Sequence, residues 1–149
     1  MKRREFLQTS TKVICACVAS SGISMIQSCT NNVAVSPDLE GDGDGLVIDI
    51  TSSGFTPLLV EGGSVVTNGN TIDPKGLVLV RVGNDIRAYQ NRCTHAGYQL
   101  EAFNNGISVC TSGHGGSFNT DGQAVSSPAY TSLKEYPTSL EDNRLIIIN

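Results

Sequence analysis

LVLVRVGNDIRAYQNRCTHAGYQLEAFNNGISVCTSGHGGSF, residues Leu77 to Phe118, decides how this chain folds and where its chemistry sits. Leu77 to Val82 and Ile86 to Tyr89 are apolar, β-branched runs around Gly83-Asn84-Asp85, the composition of a β-hairpin. Ala102-Phe103 and Ile107 to Val109 flank Asn104-Asn105-Gly106 in the same way. Just beyond the second strand of each hairpin comes a short element rich in ligating side chains. One is Cys93-Thr94-His95-Ala96-Gly97; the other is Cys110-Thr111-Ser112-Gly113-His114-Gly115-Gly116-Ser117-Phe118. Each contributes one thiolate and one imidazole. Strand ends on neighbouring hairpins can bring two such loops together, so that Cys93, His95, Cys110 and His114 close a four-ligand site.

Outward from this stretch the pattern stays β. Leu46 to Thr51 alternates as a strand. Leu58 to Val60 and Ser64 to Thr67 flank Glu61-Gly62-Gly63 as a further hairpin. Ser117-Phe118 and Gln123 to Val125 flank Asn119-Thr120-Asp121-Gly122, and Leu133 to Tyr136 and Leu145 to Ile148 enclose Glu141-Asp142-Asn143. No long amphipathic helix competes after residue 45. Short strands at this spacing predict an all-β antiparallel sandwich or barrel over residues 46–149. With 149 residues there is room for one such domain.

The N-terminal part reads as an address. Lys2-Arg3-Arg4 precedes a weakly apolar run from Val13 to Ala19 and small residues up to Ile26, the layout of an export signal over residues 1–29. Arg3-Arg4 followed by Phe6-Leu7 resembles a twin-arginine (Tat) signal, a route that carries folded proteins. Ile26-Gln27-Ser28-Cys29 resembles a bacterial lipobox, whose cysteine becomes a lipid-bearing N-terminus at the membrane surface. Cleavage elsewhere, or retention of the apolar segment as an anchor, are the alternatives. Residues 30–45 form a polar linker. Its Glu40-Gly-Asp42-Gly-Asp44-Gly45 has the alternate acids of a calcium loop, but Thr51 stands where such a loop needs Glu, so a solvated spacer is expected.

Composition narrows the function classes. No stretch of 18 or more apolar residues is present, which argues against a full membrane span. From Cys29 onward six basic residues face thirteen acidic ones, a net of about −7 with neutral histidines. That balance argues against nucleic acid and favours a partner protein with a basic docking face. No nucleophile–base pair or carboxylate pair suited to hydrolysis stands out.

The four ligating residues admit more than one chemistry. A Cys93–Cys110 disulfide leaves both of the chain's histidines unexplained. Two Cys and two His can hold zinc or a [2Fe–2S] cluster with both imidazoles on one iron. The four-residue step from Cys110 to His114 suits a zinc knuckle. Cys93-Thr94-His95, one residue apart, sends its ligands more readily to two metal centres than to one. Glycines at 97, 113, 115 and 116 suit a close approach of backbone N–H groups to bridging sulfides.

Cys-Thr-His-x-Gly, a gap, then Cys…His-Gly-x-x-Phe resembles the signature of the Rieske [2Fe–2S] family. Asp121-Gly122, Ser127-Pro128-Ala129, Leu133 and Tyr136-Pro137 resemble the strand pair and proline loop that cover that family's cluster, and Leu145 to Ile148 resembles its last strand. The resemblance covers roughly residues 45 to 149. It implies antiparallel sheets with a small cluster-binding subdomain and one [2Fe–2S] cluster per chain. Cys93 and Cys110 would sit on one iron, with His95 and His114 on the solvent-facing one. Three residues, not two, separate Cys110 from His114. Tyr98 and Ser112 or Gly113 stand where high-potential members carry a disulfide, and Gly116 stands where they carry a sulfide-binding serine. A ferredoxin-like protein is therefore expected, in the lower half of the range of roughly −150 to +300 mV. The function implied is one-electron transfer, with His95 and His114 as the contact edge and a route for coupled proton uptake. The alternatives are the iron–sulfur small subunit of an exported multi-subunit oxidoreductase, and a β-domain module with zinc or no cluster. An enzyme acting by itself is the lesser expectation.

Overall fold

The computed structural model describes residues 45–149. The expected export signal, the Cys29 lipobox and the linker up to residue 44 lie outside the described residues. Gly45, assigned to the linker from sequence, instead begins the first strand. No helix among the described residues is long and apolar enough to cross a membrane.

The strands run β1 (Gly45–Asp49), β2 (Ser64–Val66), β3 (Leu77–Val82), β4 (Asp85–Gln90), β5 (Ile107–Val109), β6 (Ser117–Asn119), β7 (Ala124–Ser126), β8 (Glu135–Tyr136), β9 (Thr138–Glu141) and β10 (Arg144–Ile148). All pairings are antiparallel, in sheets ordered β1-β10-β9, β2-β3-β4-β8 and β5-β6-β7. The expected all-β architecture with a separate small sheet is thus the one observed.

The β3–β4 hairpin is the wall between two cores. Because strand side chains alternate, Leu77, Leu79, Ile86 and Ala88 join Leu46, Ile48, Leu145 and Ile147 of the β1-β10-β9 sheet. Val78, Val80 and Tyr89, on the opposite face, join Leu100, Phe103, Phe118, Leu133 and the two cysteines Cys93 and Cys110. A strand buried on both faces reads as a continuous apolar run, which is why Leu77 to Val80 shows no polar alternation. Each of these fully buried aliphatic side chains contributes about 1.5–3 kcal/mol.

Several local expectations are corrected. Leu58 to Val60 is not a strand: Thr56–Leu59 forms a 3₁₀ turn. Pro57 supplies a preset φ and no N–H in its first turn, Leu58 donates to the Phe55 carbonyl at 2.9 Å, and Leu58 is buried. β2 pairs instead with β3, Ser64 opposite Val80. Ala102-Phe103 forms no strand either, although the turn beside it forms as read. Asn104 bridges Ile107 across Asn105 (φ 49°) and Gly106 (φ 78°), the two left-handed residues of a type I′ turn. Leu133 to Tyr136 is a strand only at Glu135–Tyr136, and it pairs with β4, not β10. Pro137 cannot donate to a ladder, so it separates β8 from β9, and β9 becomes the hairpin partner of β10.

A buried carboxylate ties the central sheet to the loop before β3. Asp73 accepts from Gln90 Nε2, from the Lys75 N–H at 2.7 Å and from the Tyr136 hydroxyl at 2.8 Å. Burial alone would raise its pKa, but these donors, with the Arg92 charge, hold it below the usual carboxylate range. Burial, and then the neighbouring Asp73, push the Tyr136 hydroxyl up to about 12.

Candidate metal centre

One loop beyond the central wall and one in the small sheet build the site. Loop one, 93–98, follows β4; loop two, 110–116, joins β5 to β6. Asn91, fully buried, sets the base of loop one. Its N–H donates to Gly76 O at 3.0 Å, and its side-chain oxygen accepts the Leu100 N–H at 2.8 Å. The loop then closes on itself, with Cys93 N–H to Tyr98 O at 2.7 Å and Gly97 N–H to Cys93 O at 2.8 Å. Loop two is pinned where the strands end. Cys110 N–H donates to Gly116 O at 2.8 Å and Thr111 N–H to Gln99 O at 3.0 Å, the latter stitching the two loops together. Phe118, fully buried, anchors its far end in the second core.

All four residues singled out from sequence come to this one place. Cys93 and Cys110 are buried and unbridged, and both belong to the second core. His95 and His114 are exposed at the rim, with ring centroids 5.7 Å apart and planes crossing at 68°. Among the described residues no three His, Cys, Asp or Glu side chains converge as on a single metal ion. The arrangement is two pairs of donors, buried thiols together and exposed imidazoles together, which fits a binuclear group better than one tetrahedral ion. A Cβ placed on Gly116 would lie 3.5 Å from Cys93 Sγ and 3.4 Å from Ala129 Cβ. The backbone there therefore approaches the sulfur closely, as a group cradled by N–H donors requires.

The two sulfurs differ in surroundings. Burial, followed by the neighbouring Cys110, pushes the Cys93 thiol above its ordinary value, against the opposing N–H groups of His95 and Ala96. Burial acts on Cys110 too, but the Ser112 hydroxyl and N–H, with Cys93, bring that thiol below the ordinary value. Ser112 Oγ lies 3.1 Å from Cys110 Sγ. This contact was not anticipated from sequence; the only signal for it was the additional residue between Cys110 and His114. Gly113 accommodates that residue with φ +73° and open space around it.

Ser117, next to Gly116, is turned away from the sulfurs. Its hydroxyl meets Ser126 Oγ at 2.7 Å, and Ser126 Oγ donates to the Gly115 carbonyl. Both serines brace loop two against β7. The segment 127–133 covers the site from the third side: Ala129 is buried beside Gly116, and the Thr131 carbonyl accepts the Thr94 hydroxyl at 3.0 Å. No charged residue occurs in 93–98, 110–118 or 127–133, while Tyr98 and Tyr130 are exposed there.

Comparison with known proteins gives one consistent family. The Rieske [2Fe-2S] domain matches residues 59–137. The ferredoxin component of a naphthalene 1,2-dioxygenase system from Pseudomonas aeruginosa is 32% identical over 81 residues, covering 53% of this chain and 78% of that protein. Among solved structures, a cyanobacterial plasma membrane Rieske protein of Synechocystis PCC 6803 is 28% identical. It superposes with a TM-score of 0.51, over 58% of this chain and 87% of that one. A ferredoxin of Sphingomonas yanoikuyae B1 is 27% identical with a TM-score of 0.49, over 60% of this chain and 88% of its own length.

Proposed function

This chain belongs to the Rieske [2Fe-2S] domain family, and we propose that Cys93, His95, Cys110 and His114 are the four ligands of its cluster. The protein is an electron-transfer iron–sulfur protein. When bound, a [2Fe–2S] cluster takes up and gives back one electron at a time. The observation that carries the ligand assignment is the pairing of donors: two buried, unbridged thiols in one core cluster, and two exposed imidazoles with ring centroids 5.7 Å apart. Cys93 and Cys110 hold the inner side and exclude water. His95 and His114 form the outer edge, where the path to a partner is shortest. The test is iron and sulfide content of the full chain, with an EPR spectrum after dithionite reduction. Two irons, two sulfides and a histidine-ligated [2Fe–2S] signal are expected. One iron or fewer per chain, or a different signal, overturns the assignment and leaves the zinc or cluster-less module.

The carrier works with a redox partner protein, which we place in an oxidoreductase system, either as a diffusing ferredoxin or as its small iron–sulfur subunit. The naphthalene dioxygenase ferredoxin component supports the first form. The acidic balance of the chain favours a partner with a basic face. The loops around His95 and His114 are themselves uncharged, so the acidic groups steer the approach while the contact itself is neutral. Association slows as salt rises and dissociation barely changes, which stopped-flow electron transfer at several ionic strengths measures.

The place of action proposed is outside the bacterial inner membrane, at its surface. Arg3-Arg4 with Phe6-Leu7, and Cys29 after Ser28, support export and a lipid anchor. A membrane-fraction protein that becomes soluble on Cys29→Ala supports the anchor; one that is unmoved by it overturns lipidation at Cys29.

A further inference from the structure

Loop two holds a side-chain hydroxyl against one of the two buried sulfurs, and loop one holds none. Ser112 Oγ is 3.1 Å from Cys110 Sγ and also accepts the His114 N–H at 3.3 Å. An oxygen that accepts an N–H keeps its own hydrogen free to give. A metal-bound cysteine sulfur carries no proton, so in the loaded protein the bond can run only from the Ser112 O–H to Cys110 Sγ. Near Cys93 the other hydroxyls are committed elsewhere: Thr94 to the Thr131 carbonyl at 3.0 Å, Ser117 to Ser126 at 2.7 Å.

We propose that Ser112 is a potential-setting residue, its hydroxyl donating to the Cys110 ligand sulfur and stabilising the reduced cluster. The inference rests on the ligand assignment above. Reduction adds negative charge that spreads onto the ligand sulfurs. A donor aimed at one of them is therefore stronger in the reduced state, and the midpoint rises. The third residue between Cys110 and His114 gives the loop the slack to fold back, with Gly113 at φ +73° making the turn. Ser112 touches no substrate; it acts through Cys110.

The test is the midpoint potential of the loaded full chain, by film voltammetry, for wild type, Ser112→Ala, Ser112→Gly and Ser112→Thr. Removing the hydroxyl is expected to weaken one-electron reduction about tenfold, a fall of about 59 mV, with iron and sulfide content unchanged. Ser112→Thr, which keeps the hydroxyl, is expected to return the midpoint toward wild type. An unchanged midpoint in a fully loaded Ala or Gly variant overturns the proposal. If neither variant loads, pulsed EPR of the reduced wild type decides. Brief transfer to D₂O is expected to introduce a coupled deuteron beyond those of the exposed His95 and His114 ring N–H groups, which Ser112→Thr retains, and a spectrum accounted for by imidazole and backbone deuterons alone overturns the proposal. A wild type that holds no [2Fe–2S] cluster refutes the ligand assignment instead.

Discussion

Loops one and two carry the same pair of side chains and differ in how far side chains help to hold them. Loop one places Cys93 and His95 a single residue apart and is held by backbone: Cys93 bonds Tyr98 at 2.7 Å, Gly97 bonds Cys93 at 2.8 Å, and buried Asn91 fixes its base. Loop two spreads Cys110 and His114 over four residues and adds side-chain contacts, through Ser112, Ser126 and the Phe118 anchor, to the backbone bonds at its two ends. A short loop has few torsions, so its own hydrogen bonds define it. A longer loop with three glycines has more freedom to lose on ordering, and side-chain contacts add to its backbone bonds. The proposed assignment asks equal ligation of these unequal loops.

The largest effect tests that equality. Cys93→Ala and Cys110→Ala are each expected to abolish iron, colour and the EPR signal, while far-UV circular dichroism keeps its β signature. A Cys110→Ala protein that still binds two irons breaks the comparison, because loop two would then not ligate. Next comes the anchor of loop two. Phe118→Ala removes a fully buried ring from the second core and is expected to cost about 3–5 kcal/mol in urea denaturation. A cost under 1 kcal/mol would show that loop two is not held there.

The corresponding substitution for loop one is Asn91→Ala. It leaves the buried Leu100 N–H without its 2.8 Å acceptor and is expected to cost about 1–3 kcal/mol. It should also raise hydrogen exchange in 93–100 more than in 110–118; equal increases would mean the loops are not separately supported. The smallest effect is acid sensitivity beneath loop one. Asp73 has a depressed folded-state pKa. Its contribution is therefore present above the ordinary carboxylate value and is lost as the pH falls below about 4 through the folded one. Thermal melts are expected to show a steeper acid limb in wild type than in Asp73→Asn, and identical limbs would remove Asp73 from the account.

Much of the fold was readable because its signals are local. Gly83-Asn84 between two apolar runs produces β3–β4, and Asn105-Gly106 produces a type I′ turn whatever surrounds it. The readings that failed depend on distant partners. Leu58 to Val60 has strand composition, yet Pro57 and the burial of Leu58 make it a 3₁₀ turn. Leu133 to Tyr136 was read as flanking one turn with the last strand, but Pro137 separates β8 from β9, and Glu135–Tyr136 pairs with β4. Ser117 was readable as a hydroxyl near the site, while its direction, toward Ser126, followed from the β6–β7 pairing.

Sequence alone determined the inventory of candidate donors, since two histidines and two body cysteines in two short motifs leave few others, and it determined the β class, since hairpin turns are written in neighbouring residues. Tertiary structure alone decided which sulfur receives a hydroxyl. Ser112 in loop two and Ser117 at the start of β6 are both serines, and nothing in their identity separates them. The turn at Gly113 points one toward Cys110, and the β6–β7 register points the other away. A side chain's direction follows from backbone torsions, and those torsions are set by contacts with residues far along the chain.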